Sequence, residues 1–194
     1  MFQKQFCLIQ NLSWPYDDSS INANIPQDSK TVDYSSVGKA IKLIMSFPKG
    51  SYTRKTDIKH AFKIIPIHPS DHCKLVSKFN GLYYYDVTLP MGAGSACRIF
   101  EAFSTALQAI FAFHAVEGDL SVHYLDDFFF IDITKLASSA NTTVFDNLCA
   151  DIGVPQAPDK KTIPSHSTPF LGITLYSLHW FATLPLDKLN NYLA

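Results

Sequence analysis

Apolar positions recur along this chain with two different periods. Val37, Ala40, Ile41, Ile44 and Met45 follow helical spacing after Ser35 and Ser36, either of which can cap the helix, and Pro48 and Gly50 end the run. A longer helix is predicted from about Ser95 to Ala115, with Ile99, Phe103, Leu107, Ile110 and Phe111 on one side and Gly118 near its end. Val144, Leu148 and Ile152 imply a third helix, stopped by Gly153 and Pro155. Between these lie strand-like runs at 52–58, 62–67, 75–79 and 82–89, with Asn80-Gly81 as a tight hairpin turn. Further runs at 120–124 and 128–133 flank an acidic pair, and 170–176 with 180–184 form a last hairpin. Residues 8–26 are polar and turn-rich, a loop-like arm preceded by a short strand at 6–9. Helices interleaved with antiparallel hairpins predict an α+β fold, an antiparallel sheet packed on helices.

Composition narrows the class. The 194 residues are 47% apolar, enough for one folded domain with a substantial core. A net charge of −1 lacks the basic excess of a self-sufficient nucleic-acid binder, so such affinity would come from a local patch or from further segments. Cys7, Cys73, Cys97 and Cys149 are scattered without a C-x-x-C pair, and the first residues lack the layout of a secretory signal. An intracellular chain, cytoplasmic or nuclear, is expected. The apolar stretch 103–116 is interrupted by Ser104, Thr105, Gln108 and His114, so no membrane span is expected. His68, His72 and Cys73 lack a complete four-ligand zinc spacing.

The candidate chemistry centres on Tyr124-Leu125-Asp126-Asp127, two adjacent carboxylates between apolar runs. Such a pair repels itself and is costly to desolvate unless cations neutralise it; Mg2+, which favours a few carboxylate oxygens plus substrate phosphates, suits it. An ordinary hairpin turn is the plainer alternative, because Asp is common in turns. Holding two ions about 4 Å apart needs a third carboxylate from another strand. Asp57, where a strand-like run meets a turn, is the candidate; a helix cap or a solvated side chain is its alternative.

Taken together, these blocks resemble the palm of reverse transcriptases. Asp57 with Ala61-Phe62 is similar to the first catalytic block of that family, and Leu89-Pro90-Met91-Gly92 followed by Ser95-Ala96 and Arg98-Ile99-Phe100 to the second. Tyr124-Leu125-Asp126-Asp127 matches the Y-x-D-D block, while Pro158-Asp159-Lys160-Lys161 and Phe170-Leu171-Gly172 resemble the fourth and fifth. The flanking text Asn11-Leu12-Ser13, Ile65-Pro66-Ile67-His68-Pro69 and residues 124–129 most resembles retrotransposon enzymes of the DIRS type.

The resemblance implies an RNA-directed DNA polymerase fragment of a retroelement, acting on an RNA or DNA template with primer and on deoxynucleoside triphosphates. Asp57 and Asp126 would hold two Mg2+ ions, or Mn2+ in their place, with Asp127 supporting the cluster and the Ile58 carbonyl completing a ligand shell. Phe62 matches the steric gate against ribonucleotides, with core packing as its alternative. Met91 and Gly92 would lie under the incoming base and template. Tyr124 and Leu125 would lie near the primer terminus, which the hairpin carrying Phe170, Leu171 and Gly172 would grip. Lys161, or less favourably Lys160, matches a lysine that protonates the leaving pyrophosphate; a surface lysine is the alternative. The implied organisation is a partial fingers-like arm and helix at 1–51, a palm at 52–184 and the start of a truncated thumb at 185–194, with further domains expected in a longer polyprotein.

The match has gaps. Cys7 stands where the family places a triphosphate-binding arginine, and it cannot supply a guanidinium fork. His60 stands at an often acidic position, and Cys97 replaces a usual proline. A degenerate, non-catalytic palm remnant that binds nucleic acid or is only structural is the competing expectation.

Overall fold

Six consecutive residues, Asp127 to Asp132, form a strand whose middle, Phe128 to Ile131, is apolar on both faces, and the rest of its half of the molecule is arranged around it. The computed structural model describes residues 9–116, 120–185 and Leu189. In chain order the elements are α1 (Val37–Met45), β1 (Tyr52–Asp57), β2 (Val76–Phe79), β3 (Leu82–Tyr85), α2 (Ala96–His114), β4 (Ser121–Tyr124), β5 (Asp127–Asp132), α3 (Lys135–Asp151), β6 (Ser167–Phe170), β7 (Ile173–Tyr176) and β8 (Phe181–Thr183). Helices and antiparallel sheets combine in the α+β class expected. They fall into two compact units, one of Met1–Asp33 with His60–Ala102, the other of Tyr34–Lys59 with Phe103–Ala194. The units interleave along the chain.

In the second unit β5 is the central strand of the antiparallel sheet β1-β5-β4. Strand periodicity sends Phe128 and Phe130 to one face, where their rings meet Phe145 of α3 and, from Phe130, Phe111 of α2. Phe129 and Ile131 point the other way and share a buried cluster with Ala40 and Ile44 of α1, Phe170 of β6 and Leu175 of β7. A strand covered on both faces reads as an unbroken apolar run, which is why Phe128 to Ile131 show no alternation. β1 is flanked on its other side by the segment 155–165: Ile58 bridges Gln156, the Thr162 N–H donates to the Lys55 carbonyl at 3.0 Å, and Thr53 bridges Ser165. Ser36 caps α1 by accepting from the Lys39 N–H, and Thr134 caps α3 by accepting from the Ala137 N–H. α3 begins well before the Val144, Leu148 and Ile152 pattern that signals it.

Three sequence expectations change. The run 62–67 is a 3-10 turn, Ala61–Ile64, entered through His60 at φ 59°; Pro66 offers no N–H to a sheet and makes only an isolated bridge to Thr88. β3 stops at Tyr85 rather than 89. The run 170–176 is itself a hairpin: Leu171 and Gly172 both have positive φ, 47° and 79°, and turn β6 into β7, with β8 added as a third strand. The Asn80-Gly81 turn between β2 and β3 forms as expected, at φ 50° and 79°. The strand at 6–9 (save Ile9), Cys7, Gly118 and Leu186-Asp187-Lys188 lie outside the described residues.

By length and composition α2 could cross a membrane. Its Phe100, Leu107 and Phe111 are buried within the fold, whereas Ile99, Ile110 and Phe113 are exposed.

Candidate active site

Register brings the acids together. β1 and β5 pair so that Asp57 stands opposite Asp127, and directly opposed residues carry their side chains on the same face of the sheet. One residue further, the Ile58 N–H donates to the Asp126 carbonyl at 2.9 Å, which ties the turn carrying Asp126 to the end of β1. That turn is made by Leu125 and Asp126, and Leu125 takes a left-handed φ of 51°, a costly conformation for a bulky side chain, found where surrounding structure enforces it. Asp57 is only 6% exposed.

The three acids feel one another's charge. Burial pushes Asp126 above the ordinary carboxylate range, and the neighbouring Asp57 charge adds to it. Burial likewise pushes Asp127 up to about 6, with Asp57 and Asp126 adding to the shift and the Lys55 ammonium opposing it. Two ammonium groups offset the excess: Lys160 Nζ donates to Asp57 Oδ2 at 2.9 Å and Lys55 Nζ to Asp127 Oδ1 at 3.4 Å. Its hydrogen bond to Asp57, then the charges of Asp57, Asp126 and Asp127, hold Lys160 above the ordinary lysine value. Among the described residues no group of three or more His, Cys, Asp or Glu is drawn together as a ready-made ion cage. Asp57 and Asp127 are paired with lysines instead.

A polar relay on the other face of β1 places the lysine segment. Thr56 Oγ1 donates to Gln156 Oε1 at 2.8 Å, Gln156 Nε2 donates to Asp146 Oδ1 at 3.0 Å, and Lys161 Nζ donates to both Asp146 oxygens, 2.6 Å to Oδ1. Lys161 is therefore spent on α3. Lys160, the less favoured of the two by sequence, is the one that meets the acids.

The remaining expected residues divide between the units. In the second unit Ile58 is buried at the end of β1. Tyr124 stacks on Tyr34 with ring centres 5.0 Å apart, beside Leu125 in the turn. Phe170 is fully buried against Phe129, so its side chain is a core element and cannot itself grip a primer; Leu171 and Gly172 form the turn beyond it. In the first unit Phe62 packs edge-on to Phe100 at 5.5 Å. Met91 accepts at its carbonyl from the Gln10 N–H, 3.0 Å away. Gly92, at φ 116°, permits a close backbone approach whose partner is the chain's own arm: a Cβ there would stand 1.9 Å from the Gln10 carbonyl oxygen. Asn22 locks the same contact, donating to the Gly92 carbonyl at 2.9 Å and accepting from the Gly94 N–H at 2.7 Å.

Sequence reasoning missed Lys55. Its signal was available, since a residue two before Asp57 in a strand shares its face. The Thr56, Gln156 and Asp146 relay joins residues up to a hundred positions apart and left no local pattern.

No known protein-family profile matches this sequence, and no curated protein matches it either. Solved structures do match in fold. The foamy viral protease-reverse transcriptase in complex with double-stranded DNA aligns with a TM-score of 0.72 at 18% identity, over 89% of this chain and 28% of that one. The same protein in complex with an RNA/DNA hybrid aligns with a TM-score of 0.70 at 18% identity, over 90% and 22%. The native prototype foamy virus protease-reverse transcriptase aligns with a TM-score of 0.63 at 19% identity, over 91% and 24%. The chain thus spans roughly a quarter of the length of the proteins it matches. What this likeness establishes is the architecture: the chain has the fold of a reverse transcriptase domain.

Proposed function

We propose that this chain is the palm portion of a retroelement RNA-directed DNA polymerase, most similar to the DIRS type, that transfers nucleotides to a primer 3′-hydroxyl. The observation that carries the reading is the register of β1 against β5, which sets Asp57 opposite Asp127 with Asp126 tied to the same strand end. Carboxylates from two strands, two of them held above their ordinary range, are a donor set that divalent cations would relieve. Asp57 and Asp126, with Asp127 and the Ile58 carbonyl beside them, would hold two Mg2+, which supply an activated primer hydroxyl and charge neutralisation at the triphosphate. Lys160, already at Asp57 and half-exposed, has the reach to carry its proton toward a leaving phosphate once a cation takes its place. Lys161 supports it through Asp146. Phe62 acts as the gate against a 2′-hydroxyl, and Met91 and Gly92 underlie the template base. Template with primer and deoxynucleoside triphosphates are the substrates, in an intracellular setting and within a longer polyprotein.

Primer extension on an RNA template, with Asp126→Asn beside the wild type, tests this. Incorporation unaffected by the substitution rejects the assignment. A second reading, a non-catalytic remnant that binds nucleic acid, is favoured by the net charge of −1 and by the two lysines that already neutralise the acids. Salt-dependent binding to primer-template with no incorporation decides for it.

A further inference from the structure

The two lysines at the acids are not equivalent. Lys160 is 53% exposed at its side chain and sits in a turn, outside any helix or strand. Lys55 and its partner Asp127 are only 18% and 15% exposed. The backbone of Lys55 is fixed from both sides: it lies in register with Phe129 of β5, and on the opposite edge its N–H donates to Thr162 Oγ1 at 2.8 Å while its carbonyl accepts from the Thr162 N–H at 3.0 Å. Its side chain shares a face with Asp57 and reaches diagonally to Asp127. Asp126, by contrast, has no ion pair among the described residues.

We infer that Lys55 is a positioning residue, a resident counter-cation that holds Asp127 by an internal ion pair and so divides the acidic pair, leaving Asp126 with Asp57 to take divalent ions. This rests on the polymerase reading and adds a division of labour within its site. A fixed positive charge beside an ion site repels the ion, so Lys55 sets a ceiling on how tightly the free protein binds metal. The Asp126-Asp127 pair then stays compact and neutralised in the metal-free chain, and divalent ions gather with the substrate phosphates that outweigh the lysine charge.

The test is Mn2+ binding to the full chain, followed by electron paramagnetic resonance without nucleotide or nucleic acid. Lys55→Gln and Lys55→Met should each bind Mn2+ about tenfold more tightly than wild type. Lys55→Arg should restore the wild-type affinity, and Lys59→Gln, which removes an exposed lysine on the same segment, should change it less than twofold. Circular dichroism confirms that each variant is folded, and either neutral variant suffices. If Asp126→Asn abolishes binding while the neutral Lys55 variants bind no more tightly than wild type, the role given to Lys55 is wrong and the metal site stands. If Asp126→Asn binds Mn2+ as wild type does, or none of these proteins binds it, the metal site itself fails and the inference goes with it.

Discussion

The unit carrying the acids and the unit carrying the arm and the β2–β3 hairpin are built to different standards. In the acid-bearing unit, a central strand is sealed on both faces by phenylalanines, and its neighbour β1 is hydrogen-bonded along both edges. In the unit of the arm and hairpin, Phe79, Leu82, Tyr83, Tyr84 and Tyr85 stand exposed on a two-stranded sheet, beside a groove of about 660 Å³ lined by Ile9, Leu12, Val76 and Phe79 among others. Carboxylates that must converge from separate strands need backbones that cannot shift, and dense packing on both sides of a sheet provides that. A hairpin whose own turn chemistry makes it needs no such enclosure, because Asn80 and Gly81 set its register locally.

The contrast can be broken at several strengths. The largest expected effect is on chemistry: Asp57→Asn should reduce primer extension on the order of 1000-fold, measured as single-nucleotide incorporation. Phe129→Ala, which empties the centre of the acid-bearing unit, should cost about 3 to 5 kcal/mol in denaturant unfolding. pH sharpens the comparison next. Asp127 ionises in the unfolded chain near 3.8 and in the folded one at about 6, so the folded state holds its proton longer. Stability of the metal-free protein should therefore fall as pH rises from about 4 to about 6, by up to roughly 3 kcal/mol. Unfolding measured across that range should lose this slope in Asp127→Asn. Gly81→Ala, at a positive φ but in open space, should cost about 1 kcal/mol. Smallest of all, Phe79→Ala on the exposed hairpin should stay within about 0.5 kcal/mol of wild type.

Much of this architecture was legible in residue order because its signals are local. Ser36 before an apolar helical face, Asn80-Gly81 between strand runs, and the acids between 120–124 and 128–133 each announce an element within a few positions. The legible part ends where a run can be two things. Residues 170–176 look like one strand until Leu171 and Gly172 adopt left-handed angles, and 62–67 alternate like a strand yet coil after His60. Site residues follow the same rule. Asp57, Asp126 and Asp127 declare themselves as charges at strand ends, whereas the choice between Lys160 and Lys161 depends on Asp146 of α3, whose capture of Lys161 no local spacing reveals. Phe170 misleads for the opposite reason, since a recognisable block does not say which of its side chains face inward.

The contact at Gly92 has a genetic consequence. In a gene accumulating random substitutions, no codon change away from glycine at that position is silent to the fold, because any β-carbon collides with the carbonyl of Gln10. A variant with alanine or valine at 92 should therefore lose the close contact with Gln10 even while Asp57, Asp126 and Asp127 remain intact.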